Sequence, residues 1–437
     1  MDNHKQEDSP GIASDHKAVG IQNRKNIIWN ALGQSSNAFY AMALMIFVTR
    51  VNGLEVMGDF SLSFYIASVF FAIGVYGGRI FQISDVKQEF TNGDYISLKF
   101  VSIFFMFGAA FLFCILTGYS WSRILLIFIF LLYRGIEAIG DAYLGVMERN
   151  YRLDLAGRSM ILKTLIGLAA FITINLLTLN VHLSSMAFVL SYGLTLLFYD
   201  MSVAAKFDKI TLKFGSRIFQ LFKKCFPIFA IALFTLLILN ITRIFVDRFL
   251  GSEMQAIFTI FVLSASIMAM FTQFVFQPFI MELTDALHNK EFHRFSKRVG
   301  RLFLLLLAIA LAATSLAFLV GIPILSFVFN VDLTDFRWDL AMMVFVGVAA
   351  GAGTMLSLLL TVMRQFKLQM ILFSATFIFG VILSAFLTRT QGIYGAFIGF
   401  ALTYAMQLML FSIGYYFAYR NYKKRNASGE DKCTVKE

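Results

Sequence analysis

The chain has 437 residues, 59% of them hydrophobic and only 14% charged. A water-soluble fold of that length needs far more charge on its surface, so the composition excludes one. The net charge of +11 does not call for nucleic acid, because the basic residues gather in polar segments between apolar runs of membrane-spanning length.

Residues 1–26 are polar and mixed in charge, which predicts a tail and not a cleaved signal peptide. The first apolar run, 27–48, carries Asn30, Gln34 and Asn37 at helical spacing, a stripe that either lines a cavity or bonds a neighbouring helix. Runs at 60–82, 98–118 and 123–146 follow, without the strict alternation of barrel strands. Arg79 falls in the second run. The fourth holds Arg134, Glu137 and Asp141 on one helical face, with Tyr133 and Tyr143 nearby. That face is either an Arg134–Glu137 pair that neutralises itself or the polar lining of a central cavity. Only the lining also accounts for Asp141, which has no cation on its own helix.

Runs at 159–179 and 183–204 complete a first set of six, with Asp200 reading as interfacial, and a basic linker spans 205–224. The seventh run, 225–246, brings Arg243, with Asp247 at i+4 as a candidate partner and Arg248 just beyond. Near a helix end, Arg50, Arg243 and Arg248 equally fit snorkelling to the interface. The eighth run, 255–280, ends in Gln273, Gln277 and Pro278, a polar and kinked stretch. Runs at 301–321, 341–363, 368–388 and 393–418 precede a basic tail, 419–437, and Pro323 to Leu340 is a candidate short interfacial helix.

Twelve spans put both termini on one side. Twenty-nine of the 37 Lys and Arg then fall on that side, which predicts cytoplasmic termini facing anionic headgroups. The chain also repeats itself. At an offset of 198, Val48, Arg50, Gly53, Glu55 and Phe60 meet Val246, Arg248, Gly251, Glu253 and Phe258. Six spans is an even number, so the halves are parallel repeats. The expected fold is an all-α polytopic membrane protein of about 12 helices, in two six-helix lobes (27–204 and 225–418) around a central cavity suited to alternating access.

Charge inside such a bundle is costly and points to use. Arg79 and Arg134 in the first lobe, with Arg243 and Arg248 in the second, outline a cationic path, and guanidinium groups favour phosphate oxygens. The offset maps Arg79 onto Gln277. His4, His16, His182, His288 and His293 form no metal-ligand pair, and Cys114, Cys225 and Cys433 lack redox or metal spacing. No Gly-rich nucleotide loop or selectivity filter occurs. The expectation is a transporter that is not an enzyme and needs no cofactor or metal.

The element from Arg50 to Phe60 and its copy after the seventh span resemble the polysaccharide-transporter branch of the multidrug/oligosaccharidyl-lipid/polysaccharide (MOP) exporter superfamily. The stretch from Tyr133 to Tyr143, followed by Met147 to Ser159, is similar to the fourth-span pattern of Wzx-type O-antigen and capsule flippases. The resemblance implies translocation of an undecaprenyl-pyrophosphate-linked oligosaccharide across the bacterial inner membrane, coupled to H+ or Na+. It implies substrate contact by Arg50, Arg79, Arg134, Arg243, Arg248 and Gln277, and ion coupling by Glu137, Asp141 and Asp247. Polysaccharide polymerase and chain-length regulators would be partners. A multidrug exporter of the same superfamily is the alternative; a membrane polymerase or glycosyltransferase is disfavoured by the short outer loops.

Overall fold

The computed structural model describes residues 10–85 and 87–427; His4, Cys433 and the outer parts of both predicted tails lie outside them. The described residues form helices and no strand. In chain order these are α1 (Pro10–Asn52), α2 (Leu54–Val75), α3 (Gly78–Ser84), α4 (Asn92–Thr117), α5 (Trp121–Arg149), α6 (Leu153–Thr178) and α7 (Val181–Thr195). A π-helical turn, Leu196–Asp200, joins α7 to α8 (Met201–Ala204). Then come α9 (Ser216–Leu250), α10 (Ser252–Phe276), α11 (Phe279–His288) and α12 (Phe292–Leu316). A second π-helical turn, Ala317–Gly321, leads into α13 (Ile322–Phe329), and α14 (Arg337–Val362) and α15 (Phe366–Ala427) finish the chain.

Among the described residues, ten helical stretches are long and apolar enough to cross a membrane. The two predicted spans outside that count have local causes. Helix α5 carries Arg134, Glu137 and Asp141 close together, and α15 is two helices merged across Gly392, whose φ of 63° and ψ of −141° break the helix. Large apolar side chains such as Phe104, Leu116 and Phe198 stand about three-quarters exposed. Such faces suit lipid and would be unfavourable in water.

Two boundaries differ from expectation. Helix α1 already begins at Pro10, well ahead of the apolar run. Helix α9 begins at Ser216, so the second half of the basic linker is helical. Its Ile218, Leu221 and Cys225 share one face and pack with Phe90, Tyr95 and Leu98, an apolar stripe hidden between lysines.

The chain packs as two compact units. Among the described residues the first takes 10–44 and 73–225, the second 45–72 and 226–427. Helix α5 is the hub of the first, touching α3, α4, α6 and α7; α14 is the hub of the second, touching α10, α12 and α15. These hubs are the fourth and tenth predicted spans, equivalent positions in the repeat. They differ in chemistry: α5 is charged along one face, whereas α14 is neutral and rich in small residues beyond Asp339.

The repeat is visible in the backbone. Gly53 (φ 93°) turns α1 into α2 and Gly251 (φ 88°) turns α9 into α10, both in the left-handed region that favours glycine. The Gly53 N–H donates to Thr49 O (3.2 Å) and the Gly251 N–H to Asp247 O (3.0 Å), at the same offset of 198. Within the second unit the two corners pack together. A Cβ on Gly58 would lie 2.0 Å from Ser252 O, and Ser61 donates to Gln255 Oε1 at 3.0 Å.

Candidate functional site

The first unit gathers its charge around α5. Tyr76 and Gly77, both with positive φ, break α2 from α3 and swing Arg79 toward α5. There Arg79 forms a two-pronged pair with Glu148, with Nε to Oε2 at 3.1 Å, and reaches Asp141 Oδ1 at 3.3 Å. Lys99 of α4 approaches the other oxygen of Asp141 at 2.9 Å and donates to Val75 O at 2.7 Å. Two cations thus face two carboxylates. Arg134 pairs with Glu137 at 2.5 Å and lies 5.0 Å from the Tyr133 ring centroid. The Tyr133 hydroxyl meets that of Tyr40 at 2.7 Å.

A third cluster sits behind this face. The π-helical turn carries Asp200, which is fully buried, receives the Ser159 hydroxyl at 2.5 Å and pairs with Lys163. Asp200, read from sequence as interfacial, is therefore an interior group.

At the far end of α5, Arg149 donates to Asn92 Oδ1 (3.4 Å) and Asp85 O (3.1 Å), beside a polar cavity of about 370 Å3 that Asn150 and Asp208 also line. Burial alone would raise the Asp85 pKa. The backbone N–H groups of Phe90 and Glu89, the Tyr95 hydroxyl and Arg149 outweigh it and hold the carboxyl below its usual range.

In the second unit Arg243 is 1% exposed. Its guanidinium lies 3.5 Å from the Tyr65 ring centroid and donates to Asn240 Oδ1 at 2.6 Å, while Nε has no acceptor. Asp247 is buried one turn on. Arg50 is exposed and donates to the carbonyls of Phe327 and Val328, closing the C-terminal end of α13. Arg248 and Gln277 are exposed, the latter at the end of α10.

Of the nine sequence candidates, the structure thus brings Arg79 and Asp141 together, and Arg134 with Glu137. Lys99 and Glu148 complete the network around Asp141, Lys163 and Asp200 form a separate pair, and all four were missed as site residues. Lys99 had a signal: it is in helical register with Ser102, Met106, Ala110 and Cys114 on the buried face of α4.

Neither a scan of family models nor a search of curated proteins finds a match to this sequence. Solved structures do share the fold. A multidrug resistance MATE family transporter of the MOP superfamily, in an inward-facing conformation, is similar at TM-score 0.67 and 15% identity over 92% of this chain and 96% of its own. A Vibrio cholerae MATE transporter in the bent form gives 0.56 at 15% identity, over 93% of this chain and 98% of its own. A MOP superfamily transporter from Pyrococcus furiosus, described as having a binding pocket of reversed polarity, gives 0.59 at 16% identity, over 92% and 96%. The chain therefore shares its fold with these solved structures.

Proposed function

We propose that this chain is a flippase that carries an undecaprenyl-pyrophosphate-linked oligosaccharide across the bacterial cytoplasmic membrane by alternating access. Both termini lie in the cytoplasm, and a polysaccharide polymerase and chain-length regulator act on the delivered product. The observation that carries the reading is the burial of Arg134 and Arg243, with Arg79 half-buried, in helices where charge is expensive. Each can offer a guanidinium to a pyrophosphate or an acidic sugar.

The pairing supplies a mechanism for coupling. Arg79 is held by Glu148 and Asp141, and Arg134 by Glu137. An anionic substrate competes for those guanidinium groups, and a displaced carboxylate takes up a proton or Na+ to avoid standing charged and alone. Return of the carboxylate to its arginine expels the substrate. Asp247 is the corresponding candidate in the second unit. Arg50, with its donors on backbone carbonyls, and the exposed Arg248 and Gln277 are further substrate contacts of the second unit.

The test is a deletion strain without a redundant flippase. Lipid-linked repeat units should accumulate at the cytoplasmic face, and normal surface polysaccharide would sink the reading. Multidrug resistance transporters among the structural neighbours support one second reading, drug export, in which Glu137 and Asp141 would receive a cationic compound. In that case the deletion strain becomes sensitive to ethidium while its polysaccharide is unchanged.

A further inference from the structure

A cavity of about 220 Å3 lies within the second unit, framed by α9, α10, α14 and the limb of α15 after Gly392. Its polar lining comes from Thr235, Ser266, Gln273, Thr354, Tyr404 and Gln407, and none of its lining residues is charged. Three of the hydroxyls are left as acceptors. Thr235, Ser266 and Thr354 each donate their hydroxyl hydrogen to the carbonyl one turn earlier, at 2.8, 2.8 and 3.0 Å. Their oxygen lone pairs remain for a ligand. Gln407 is 4% exposed, and its Oε1 accepts no hydrogen bond within the protein. An amide left in that state gains by turning toward a donor in the cavity that it lines.

Acceptor walls fit either a metal cation or a neutral group rich in hydroxyls. Arg243 weighs against the metal: it is buried on α9 one turn beyond Leu239, which lines the cavity, and would repel a second cation. Size narrows the choice further. The space is smaller than the ~300–1,000 Å3 of sites for drug-sized ligands, which leaves room for a single sugar ring.

We propose that this cavity is a subsite for one neutral pyranose of the transported oligosaccharide, with the Gln407 amide and the Thr354 hydroxyl oxygen meeting its ring hydroxyls. The source of the sugar rests on the flippase reading; the recognition chemistry rests on the cavity alone.

Saturation-transfer NMR on the full-length protein in detergent micelles reads the site, with methyl glycosides of glucose, galactose and N-acetylglucosamine as probes. At least one glycoside takes saturation from the wild type, and its signal falls at least fivefold in Gln407→Leu and Thr354→Val, with the melting temperature as the check of folding. Equal signal in both folded variants, or none from any of the three probes, overturns the proposal. So does thermal stabilisation by sodium that Gln407→Leu abolishes, which would make this a cation site. Translocation of lipid-linked oligosaccharide in proteoliposomes is scored separately. Transport without Gln407-dependent glycoside binding removes the subsite alone; glycoside binding without transport removes the flippase reading alone.

Discussion

Lys99 and Asp141 meet at 2.9 Å between α4 and α5, with the lysine side chain wholly withdrawn from solvent. Lys99→Met strips one cation from a buried quartet and should cost about 3 kcal/mol, the low end for a broken buried pair, because Arg79 still faces Asp141. Lys99→Met combined with Asp141→Leu should recover most of that loss. Thermal unfolding in detergent checks both, and a single variant that melts with the wild type would remove the pair from the account.

Arg134 and Glu137 allow transport and mutual neutralisation to be separated. Arg134→Ala should abolish export of surface polysaccharide. If Arg134 and Glu137 serve only to neutralise each other, Arg134→Ala with Glu137→Ala restores export; if either meets substrate or ion, the double variant stays inactive. The expected outcome is inactivity, read as lipid-linked repeat units retained at the cytoplasmic face of cells producing normal amounts of each protein.

Two glycines in helices should respond with opposite signs. Gly58 has no room for a methyl group, since the atom in the way is the Ser252 carbonyl oxygen, so Gly58→Ala should destabilise by about 1–3 kcal/mol. Gly108 faces open space, and Gly108→Ala should stabilise by about 0.5–1 kcal/mol through helix propensity. Paired melting curves decide. A Gly58→Ala protein as stable as wild type would mean that the two corners do not touch.

Asp85 gives a pH dependence with a defined sign. Its carboxyl is held below the usual range, so the stability it lends is present above the unfolded value of about 4 and is lost as pH falls through the folded value. Asp85→Asn should therefore melt below wild type at pH 7, and the gap should close as the buffer is taken below about pH 4. A gap that is constant across that window would assign the loss to shape and not to charge.

Much of this fold was legible in the sequence, because membrane spans announce themselves by run length. The Gly53 and Gly251 corners were legible as well, since a positive φ narrows the choice of residue and preserves the pattern through duplication. The Arg134–Glu137 pair followed from i,i+3 spacing on one helix. What escaped depends on neighbours distant in sequence. Lys99 and Lys163 look like ordinary basic residues at the ends of spans until α5 and the π-helical turn bring carboxylates to them. The donors of Arg50 end on carbonyls of α13, and no side-chain pattern encodes a backbone acceptor. The grouping of Met45–Ala72 with the second unit was equally hidden, because hydropathy places a span without saying which helices it will touch.

That grouping sets a timetable for biogenesis. Ser61 and Gln255 are 194 residues apart, so at ~5–20 residues per second the ribosome needs roughly 10–40 s to deliver the second after the first. Throughout that interval the bare backbone at Gly58 and the Ser61 hydroxyl lack their final cover. The insertion machinery or a temporary helix neighbour must shield them. Nascent chains stalled between these two points are where misassembly and proteolytic loss of this protein should concentrate.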